Sequence, residues 1–557
     1  MAQKLKTIST VAASLGMRAG ELELNGRYKA KINLSILERL KPRRNSKYIL
    51  ISAIAPTPLG EGKTVTTIGL SMALNRLKFR SICTLRQSSL GPLFGAKGMA
   101  TGGGASQVLP ADEINLHFTG DTHAVSVANN LLVSFLENSI FHGNPLNIDP
   151  ASLTFKRCMD VSDRSLRHIR YSLKSNSRTF EIETGFEIAG ASEVMSILTL
   201  SRDFADMRER LKRMAVAKSY QGRLLKSRDL KADGMMAAVL KDAIKPNLVQ
   251  TSEHTPCFIH AGPFANVSIG TSSIVADRIA LGLCEYVVTE SGFGVDCGGE
   301  KFFDIKCRTS GFKPDACVLV CSVRGLKAQS HKFFIVPGEK INPLLFKEDL
   351  GALEEGAAHL KKQIENVRYF HIPVIVCVNV FPTDTPREIE CVIRKSLEFG
   401  AQDCVESTAW RDGSRGILRL ARSLVRLTRK RESNFKFLYE DNAPLREKIE
   451  TIAKKIYGAC DVDYSPEAHQ ALDFYTKEGF GSLPVCIAKT QFSLSHDETL
   501  KGAPSGFVLP IKDIRLASGA GFVLARASLM QTMPGLPHVP RGEKVDIDES
   551  GTIIGLS

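Results

Sequence analysis

Eight residues, Thr57 to Thr64, carry the clearest chemical signal in the sequence. Their order, Thr-Pro-Leu-Gly-Glu-Gly-Lys-Thr, matches the phosphate-binding pattern G-x-x-x-x-G-K-[ST], except that Thr57 replaces the first glycine. Gly60 and Gly62 let the backbone curl so that successive N–H groups point at phosphate oxygens. Lys63 adds a positive charge, and the Thr64 hydroxyl can meet a magnesium ion. The segment therefore predicts nucleoside triphosphate binding, and a glycine-rich turn without a ligand is the alternative.

A second set of candidate residues follows the next predicted strand, Ser81–Leu85. Arg86, at the end of that strand, can bind a carboxylate or a phosphate through two parallel hydrogen bonds. A structural salt bridge is its alternative role. Three adjacent glycines, Gly102–Gly104, allow a ligand to approach the backbone closely. The position of this glycine-rich segment, one strand after Thr57–Thr64, strengthens its interpretation as part of a ligand site.

The elements that must position these groups follow from the apolar pattern. A run of strand length, Tyr48–Ala55, precedes the phosphate-binding pattern, and residues with helical spacing follow it from Val65 to Leu74. The alternation continues through strands at Glu285–Thr289, Ala316–Val323 and Pro373–Val380 and helices at Leu353–Val367 and Thr385–Phe399. It predicts an α/β fold with a largely parallel sheet, in which ligands bind at the carboxyl ends of strands.

Composition excludes several classes of protein. Of the 557 residues, 43% are hydrophobic and 24% are charged, which is ordinary for a globular protein of roughly two to four domains. No apolar run approaches the ~20 residues that cross a bilayer, and the amino terminus lacks the apolar core of a secretory signal. Thirteen cysteines, none in a C-x-x-C pair, fit a reducing compartment. Cys317 and Cys321 share one face of a predicted strand, which favours core packing over metal binding.

The formal net charge of +14 raises the question of a polyanionic partner. The densest basic segment is Arg411–Arg431, in which Ile417, Leu420, Leu424 and Leu427 mark one helical face. A solvated arginine face on this helix is the favoured interpretation, and polyanion binding is the alternative. No aromatic interleaving or base-reading module accompanies the segment, so a nucleic-acid partner is disfavoured.

Nine ordered stretches make the chain similar to one known family over nearly its whole length. They are Thr57–Thr64, Ile114–Asp121, Ala124–Leu131, Lys241–Leu248, His260–Asn266, Glu300–Arg308, Phe381–Thr385, Ala488–His496 and Thr532–Pro537. With these stretches the sequence resembles the full-length formate–tetrahydrofolate ligases, also called 10-formyltetrahydrofolate synthetases. The resemblance implies a P-loop NTPase-like parallel sheet flanked by helices, with additional smaller α/β domains. Changes along the sequence place domain seams near Gln329–Asn342 and around Asn434. We therefore expect a nucleotide-binding domain at residues 1–330, a domain at 331–433 to which the resemblance assigns the folate pocket, and a carboxyl-terminal α/β domain at 434–557.

The resemblance also implies a two-step reaction. Formate attacks MgATP to give formyl phosphate and ADP, and tetrahydrofolate then takes the formyl group to give 10-formyltetrahydrofolate and phosphate. Lys63 and Arg86 are the implied catalytic residues, and Phe381 and Trp410 are the aromatic residues expected to sandwich the pterin. The residues expected to hold ATP are Thr57, Pro58, Leu59, Gly60, Glu61, Gly62, Lys63 and Thr64, with Mg²⁺ at the Thr64 hydroxyl.

Some positions depart from the family pattern. Gln87 stands where bacterial-type members carry glutamate, Met99 stands where glycine is usual, and residues 325–332 differ. Gln87 is the candidate ligand for a monovalent cation, K⁺ or NH₄⁺. These departures keep open an alternative, a weak or inactive family member that binds nucleotide or folate. The resemblance further implies a homotetramer that uses only small-molecule substrates, without a membrane partner. We expect a cytoplasmic protein, with an organelle matrix as the alternative.

Overall fold

Strands and helices alternate along the chain, as the apolar pattern predicts. A computed structural model describes residues 5–41, 43, 45–55, 60–95, 100–153, 155–175, 178–333, 335, 341–430, 433–528 and 530–556. The α-helices are α1 Ile8–Ser14, α2 Ile36–Arg39, α3 Lys63–Arg76, α4 Leu90–Phe94, α5 Ala111–Asn115, α6 Asp121–Phe141, α7 Glu193–Leu200, α8 Phe204–Lys212, α9 Asp233–Val239, α10 Ile274–Leu283, α11 Arg308–Ser310, α12 Val323–Lys327, α13 Leu350–Arg368, α14 Pro386–Glu398, α15 Ala409–Asp412, α16 Leu418–Lys430, α17 Leu445–Thr451 and α18 Pro466–Tyr475.

The β-strands are β1 Leu22–Leu24, β2 Ala30–Ile32, β3 Lys47–Ala53, β4 Ser81–Leu85, β5 Gly102–Gly103, β6 Ser106–Leu109, β7 Arg157–Cys158, β8 Ile169–Ser175, β9 Arg178–Thr184, β10 Phe186–Glu187, β11 Ala215–Lys218, β12 Leu224–Lys226, β13 Asn247–Thr251, β14 Pro256–Ile259, β15 Tyr286–Gly294, β16 Ala316–Cys321, β17 Val374–Asn379, β18 Asp403–Ser407, β19 Asp461–Tyr464, β20 Val485–Ala488, β21 Val508–Ile511, β22 Asp513–Ala517, β23 Phe522–Arg526, β24 Asp546–Ile547 and β25 Ile553–Ile554. Several of these form one large central sheet.

The central sheet runs in the order β1-β2-β13-β14-β4-β15-β3-β16-β17-β18, and the β5–β6 hairpin attaches to β13. The strands from β14 to β18 along this order are parallel to their neighbours. The antiparallel pairs β1/β2, β2/β13 and β13/β14 form one edge. Because β3 lies between β15 and β16, the loop after β3 opens at the middle of the carboxyl edge, where ligands bind in such sheets.

Two apolar cores cover the two faces of this sheet. Leu50 and Ile51 are neighbours in β3, yet they belong to different cores, since successive side chains of a strand point to opposite faces. Ile51 packs in the same core as Leu70 of α3 and Leu424 of α16, whereas Leu50 shares the other core with Ile364 of α13. Burying each such side chain contributes about 1.5–3 kcal/mol. Cover on both faces explains why β3 is apolar at nearly every position.

The predicted fold class is confirmed, and most predicted elements lie close to their observed bounds. β4 spans the predicted Ser81–Leu85, and α14 lies within the predicted Thr385–Phe399. β15 runs on to Gly294, five residues beyond its predicted end at Thr289. Both Cys317 and Cys321 are buried in β16, as expected for core packing. Among the described residues, no group of three or more His, Cys, Asp or Glu side chains is arranged to hold a metal ion.

The basic segment forms α16, with its apolar side buried. Ile417, Leu420 and Leu424 are fully buried, whereas Arg419 and Arg422 are exposed. This pattern agrees with the predicted solvated arginine face. Within the described part of the chain, no helix is both long enough and apolar enough to cross a bilayer.

Strands β17 and β18 belong to the predicted 331–433 domain, but they pair within the same sheet as β3. The predicted limit near residue 330 therefore does not coincide with a break in the sheet, and the three domain ranges stay predictions. After residue 434, small sheets such as β20-β23-β22 and β19-β21 pack against this body. Lys489, just after β20, reaches into it and donates a 2.8 Å hydrogen bond from Nζ to Oδ2 of Asp296.

Candidate functional site

The phosphate-binding pattern lies between the end of β3 and the start of α3. Gly62 lies just before the first residue of α3. Its φ of +83° is a left-handed conformation that favours glycine. A Cβ at Gly62 would lie only 2.3 Å from Nδ2 of Asn379, so the close approach also requires glycine. Because α3 begins at Lys63, the free N–H groups and positive dipole end of its first turn face the loop. Thr57–Leu59 lie outside the described residues, so their contact with ATP stays a prediction.

Glu61 anchors the loop through a buried side chain. Its Oε2 accepts a 2.6 Å hydrogen bond from the Ser322 hydroxyl, and its backbone carbonyl accepts one of 3.2 Å from Nδ2 of Asn379. A Cβ at Gly325 would lie 2.4 Å from the same Oε2. Glu61 therefore ties the loop to the start of α12, and its predicted contact with ATP stays a prediction.

Four chemically active side chains come together at the carboxyl ends of β3, β4 and β15. The Thr64 hydroxyl donates a 2.9 Å hydrogen bond to Oε2 of Glu290. Burial lowers the pKa of Lys63, and the negative charge of Glu290 opposes that change. Burial likewise lowers the pKa of Arg86, again against the charge of Glu290. Charges in such a partly dehydrated site act on a bound anion more strongly than they would in water.

Arg86 is held in a fixed position but keeps hydrogen-bonding capacity for a ligand. Its Nη1 donates a 2.9 Å hydrogen bond to the carbonyl of Pro263, while the buried Nε has no partner among the described residues. A Cβ at Gly292 would lie 3.2 Å from Nη1 and 2.6 Å from Cβ of Ala265, so glycine makes room for the guanidinium. An oriented arginine with unused donors suits a carboxylate or a phosphate.

The loop that carries Pro263 is itself fixed from below. The fully buried Lys301 donates a 2.6 Å hydrogen bond from Nζ to the carbonyl of Ala265, and Sγ of Cys297 contacts the same oxygen at 3.3 Å. The backbone N–H of Gln87 donates a 2.8 Å hydrogen bond to the carbonyl of Ala261. These contacts keep the residues after β4 and the loop after β14 in register, and thereby position Arg86.

Gln87 is buried and lines a cavity of about 330 Å³ next to the site. The wall also contains His117, His123 and Asp160, and Oδ2 of Asp160 accepts a 2.8 Å hydrogen bond from the N–H of Leu90. The wall also contains the apolar side chains of Leu90, Leu116 and Val127, so the surroundings of Gln87 are mixed in polarity. Its binding of a monovalent cation stays a prediction.

Phe381 lies directly beside the phosphate-binding loop. The guanidinium carbon of Arg324 stacks 3.5 Å from the centre of the Phe381 ring, and Nη2 of Arg324 reaches the carbonyl of Gly60 at 3.4 Å. The N–H of Phe381 donates a 2.8 Å hydrogen bond to Asp384. Arg324 thus links the aromatic ring to the loop, so that a ring system on Phe381 would lie next to the phosphates.

Trp410 lies after β18 and is 59% exposed, unusual for the only tryptophan of a chain. Its backbone carbonyl accepts a 2.7 Å hydrogen bond from the N–H of Ala105. A Cβ at Gly104 would lie 2.1 Å from that carbonyl, and one at Gly103 would lie 3.4 Å from the indole nitrogen. The glycine-rich segment therefore serves to seat Trp410, and one face of the indole stays open to a ligand.

The comparison with known proteins decides the family. The model of the family described as formate–tetrahydrofolate ligase matches residues 1–557. A formate–tetrahydrofolate ligase from Roseiflexus castenholzii is 49% identical over 556 residues, spanning 100% of this chain and 98% of that relative. The chain belongs to the formate–tetrahydrofolate ligase family. Ligases of the same name from Saccharopolyspora erythraea and Desulforamulus reducens are 48% and 46% identical, with the same coverage of both chains.

Glu290 was not among the site residues predicted from the sequence or from the resemblance to the ligase family. Glu290 follows the predicted strand Glu285–Thr289 directly, and an acidic residue at the carboxyl end of a parallel strand is a signal for a ligand site. Arg324 was likewise not predicted as a site residue, whereas the segment Asn379–Asp384 was expected at a carboxyl strand end, where ligands bind. Asn379 is the last residue of β17, so the same rule applies to it.

A series of buried hydrogen bonds supports Ala55, which lies just before the phosphate-binding loop. The N–H of Ala55 donates a 3.0 Å hydrogen bond to Nε2 of His359, whose Nδ1–H donates one of 2.7 Å to the carbonyl of Gly502. Burial lowers the pKa of His359, which keeps the ring neutral, as these bonds require. Gln363 donates to Oδ1 of Asp296, the partner of Lys489. The carboxyl-terminal region is thereby joined to the nucleotide loop.

Proposed function

We propose that the cleft formed by Lys63, Thr64, Arg86 and Glu290 carries out the ligation of formate to tetrahydrofolate. A formate oxygen attacks the γ-phosphorus of ATP, the bond to the β,γ-bridging oxygen breaks, and ADP leaves. The N10 nitrogen of tetrahydrofolate then attacks the formyl carbon, the bond from that carbon to phosphate breaks, and the nitrogen loses a proton. One observation supports this assignment most strongly. The amino terminus of α3, Lys63 and Arg86, whose Nε has no partner among the described residues, lie together in one cleft.

The residues divide this work between them. Formate and the triphosphate repel each other, so the cleft must neutralise charge while it aligns the reactants. The α3 amino terminus and Lys63 face the phosphates, and the unused donors of Arg86 suit formate and then formyl phosphate. The Thr64 hydroxyl is suited to hold Mg²⁺, which would spread the charge on the transferred phosphoryl group. Phe381 and Trp410 offer flat surfaces for the pterin.

A coupled assay tests the proposal directly. We expect release of ADP that requires both formate and tetrahydrofolate, together with formation of 10-formyltetrahydrofolate. Release of ADP at the same rate without either substrate would contradict it. The alternative, a nucleotide- or folate-binding protein without turnover, draws no support from the relatives, which carry the ligase name. Binding of AMP-PNP without any turnover over a range of K⁺ concentrations would revive it.

Three further features belong to the same proposal. We infer a homotetramer that works in the cytoplasm, with an organelle matrix as the alternative compartment. Activation by K⁺ or NH₄⁺ bound at Gln87, in the cavity that it lines, is the third feature. Size-exclusion chromatography with light scattering tests the tetramer, and turnover with K⁺, NH₄⁺ or Na⁺ as the sole monovalent cation tests the activation.

A further inference from the structure

Glu290 poses an electrostatic problem in a site that must attract polyanions. With Lys63 and Arg86 it forms a group of two cations and one carboxylate, whose formal charges sum to +1. The carboxylate is 5% exposed, so water screens it poorly from a bound triphosphate. Without a further positive charge beside it, Glu290 weakens the binding of a nucleoside triphosphate to the phosphate-binding loop.

The position of Glu290 suggests what neutralises it. β15 runs parallel to β3, and Glu290 lies opposite Ile51 in that pairing. The side chain thus reaches the phosphate loop from the neighbouring strand and accepts its 2.9 Å hydrogen bond from the Thr64 hydroxyl. A hydroxyl and a carboxylate oxygen at one point are the ligand types that a hard divalent cation prefers. In phosphoryl-transfer sites with this loop, a loop Ser/Thr and an acidic residue hold Mg²⁺ together.

We propose that Glu290 is the acidic partner of Thr64 in binding the divalent cation of the nucleotide, directly or through a cation-bound water. The inference rests on the proposed function, since it assumes that a metal–nucleotide complex occupies the loop. With a divalent cation bound, the formal charge of the group changes from +1 to +3, and Glu290 becomes an attractive part of the site. The Thr64–Glu290 hydrogen bond is then the resting arrangement that the cation replaces.

Two other roles for Glu290 predict different behaviour. If Glu290 only orients Lys63 and Arg86, its loss should weaken nucleotide binding equally with and without Mg²⁺. If it only accepts the proton from N10 of tetrahydrofolate, its loss should leave nucleotide binding unchanged in both conditions. Nucleotide affinity measured with and without the metal therefore separates the three roles without any measurement of turnover.

The experiment is calorimetric titration of the full chain with AMP-PNP, once in Mg²⁺ and once in EDTA. The variants are Glu290→Gln, which keeps shape but removes charge, and Thr64→Val, which removes the hydroxyl. The matched control is Glu187→Gln, because Glu187 is also a partly buried carboxyl but interacts with Lys156 and Arg515. Circular dichroism and thermal unfolding check that each variant is folded.

We expect Mg²⁺ to strengthen AMP-PNP binding to the wild type and to the control. In Glu290→Gln that strengthening should shrink by about tenfold or more, since even outer-shell partners of a metal contribute 10–100-fold to its affinity. In EDTA the same variant should bind AMP-PNP at least as tightly as the wild type, because a repulsive charge is gone. Thr64→Val should also lose part of the Mg²⁺ effect, but without the gain in EDTA.

A second readout uses the metal itself. Mn²⁺ added to the AMP-PNP complex should show weaker binding in Glu290→Gln than in the control, measured by electron paramagnetic resonance of the free ion. An unchanged Mg²⁺ effect in Glu290→Gln, or an equal loss of affinity with and without the metal, would overturn the inference. If the wild type binds no AMP-PNP in either condition, it is the proposed function that fails.

Discussion

Replacing Lys63 should lower turnover far more than it weakens the binding of tetrahydrofolate. We expect Lys63→Ala to lower turnover by about 10²–10³-fold, or ~3–4 kcal/mol, because a preorganised charge on the transferred phosphoryl group is lost. The Michaelis constant for tetrahydrofolate should stay within about twofold, because the pterin is expected on Phe381 and Trp410. Steady-state kinetics with each substrate varied in turn measures both effects. Near-normal turnover in Lys63→Ala would contradict the assignment of the loop.

Trp410→Ala should weaken the binding of tetrahydrofolate and leave the binding of nucleotide nearly unchanged. Loss of a base-stacking aromatic surface typically costs about 1–3 kcal/mol, so we expect the Michaelis constant for tetrahydrofolate to rise by roughly tenfold or more. AMP-PNP affinity should change little, because the contacts of Trp410 among the described residues are with the glycine segment at 103–105. Phe437→Ala removes another partly exposed aromatic ring, which stacks on Arg308, and serves as the control. An equal rise in the control would sink the folate assignment of Trp410.

Single residues could be predicted from the sequence where a local pattern defines them. Lys63 and Thr64 belong to one contiguous motif, and Arg86 directly follows a strand that its apolar run reveals. Glu290 is different, because its partner Thr64 is 226 residues away. Nothing near Glu290 in the sequence specifies that contact, which arises only when β15 pairs with β3.

Among the elements, β20 is tied to the core by a buried ion pair at its carboxyl end as well as by its buried apolar side chains. Side chains Lys489 and Asp296 are each 1% exposed, and Lys489→Met would leave the carboxylate of Asp296 without its cation. We expect the free energy of unfolding at pH 7 to fall by about 3–5 kcal/mol, the cost of breaking a buried pair from one side. Urea unfolding followed by circular dichroism measures the change.

The double variant Asp296→Asn/Lys489→Met tests the cause of that loss. It removes both charges together, so we expect it to recover much of the stability that Lys489→Met loses. Burial tends to raise the pKa of Asp296, but the charge of Lys489 and the hydrogen bonds from Lys489 and Gln363 together outweigh it, and the pKa lies below its usual value. Without Lys489 the pKa should rise, so the single variant should lose less stability in acid than at pH 7. Equal losses at both pH values would rule out the charge-based explanation.

The elements that sequence patterns predict well are those buried on both faces. β4 and β16 consist of buried residues throughout, so an unbroken apolar run marks each of them. β18 was missed because it is an edge strand of Asp-Cys-Val-Glu-Ser, whose partly buried polar residues, Asp403 and Glu406, interrupt the apolar run. The hairpin of β13 and β14 was missed for another reason. Three of the five residues of β13, Asn-Leu-Val-Gln-Thr, are polar although all five are buried, and β14 is a four-residue strand that begins with proline.

For the whole molecule, His260 makes stability depend on pH. Burial lowers its pKa to about 4, from 6.5 in an exposed histidine, and its ring bonds Ser273 and the carbonyl of Ala243. Between these values the unfolded chain binds a proton that the folded chain does not. The contribution of His260 to stability is therefore complete above pH ~6.5 and falls as the pH drops towards 4, by about 2 kcal/mol between pH 6.5 and 5. Glu187 and Glu193, whose burial raises their pKa to about 7, contribute in the opposite direction.

Urea unfolding at several pH values between 5 and 6.5 measures this slope. His260→Asn should unfold more easily at pH 6.5 and should lose the His260 contribution to the slope, so its stability should fall less than that of the wild type as the pH drops from 6.5 to 5. His331→Gln, at an exposed position, serves as the control and should keep the wild-type slope. An unchanged slope in His260→Asn would show that other groups govern the pH dependence.

At this scale the sequence predicted the α/β class but not how far one sheet extends. Alternating strands and helices imply a parallel sheet, and that inference needs no knowledge of strand order. The continuation of the sheet from β3 through β16 to β18 depends on pairings between strands up to hundreds of residues apart. Composition changes near residue 330 do not report such pairings.

The burial of the cysteines has a practical consequence for following this protein in solution. Twelve of the thirteen thiols are buried, and Cys460 alone is exposed. A thiol-specific dye should therefore react with one sulfur per folded chain and with all thirteen once the chain unfolds. Mass spectrometry would separate folded chains, which carry one dye, from unfolded chains, which carry thirteen, and so would give the unfolded fraction. The dye on Cys460 would meanwhile give a single, defined position for fluorescence measurements that test the proposed tetramer.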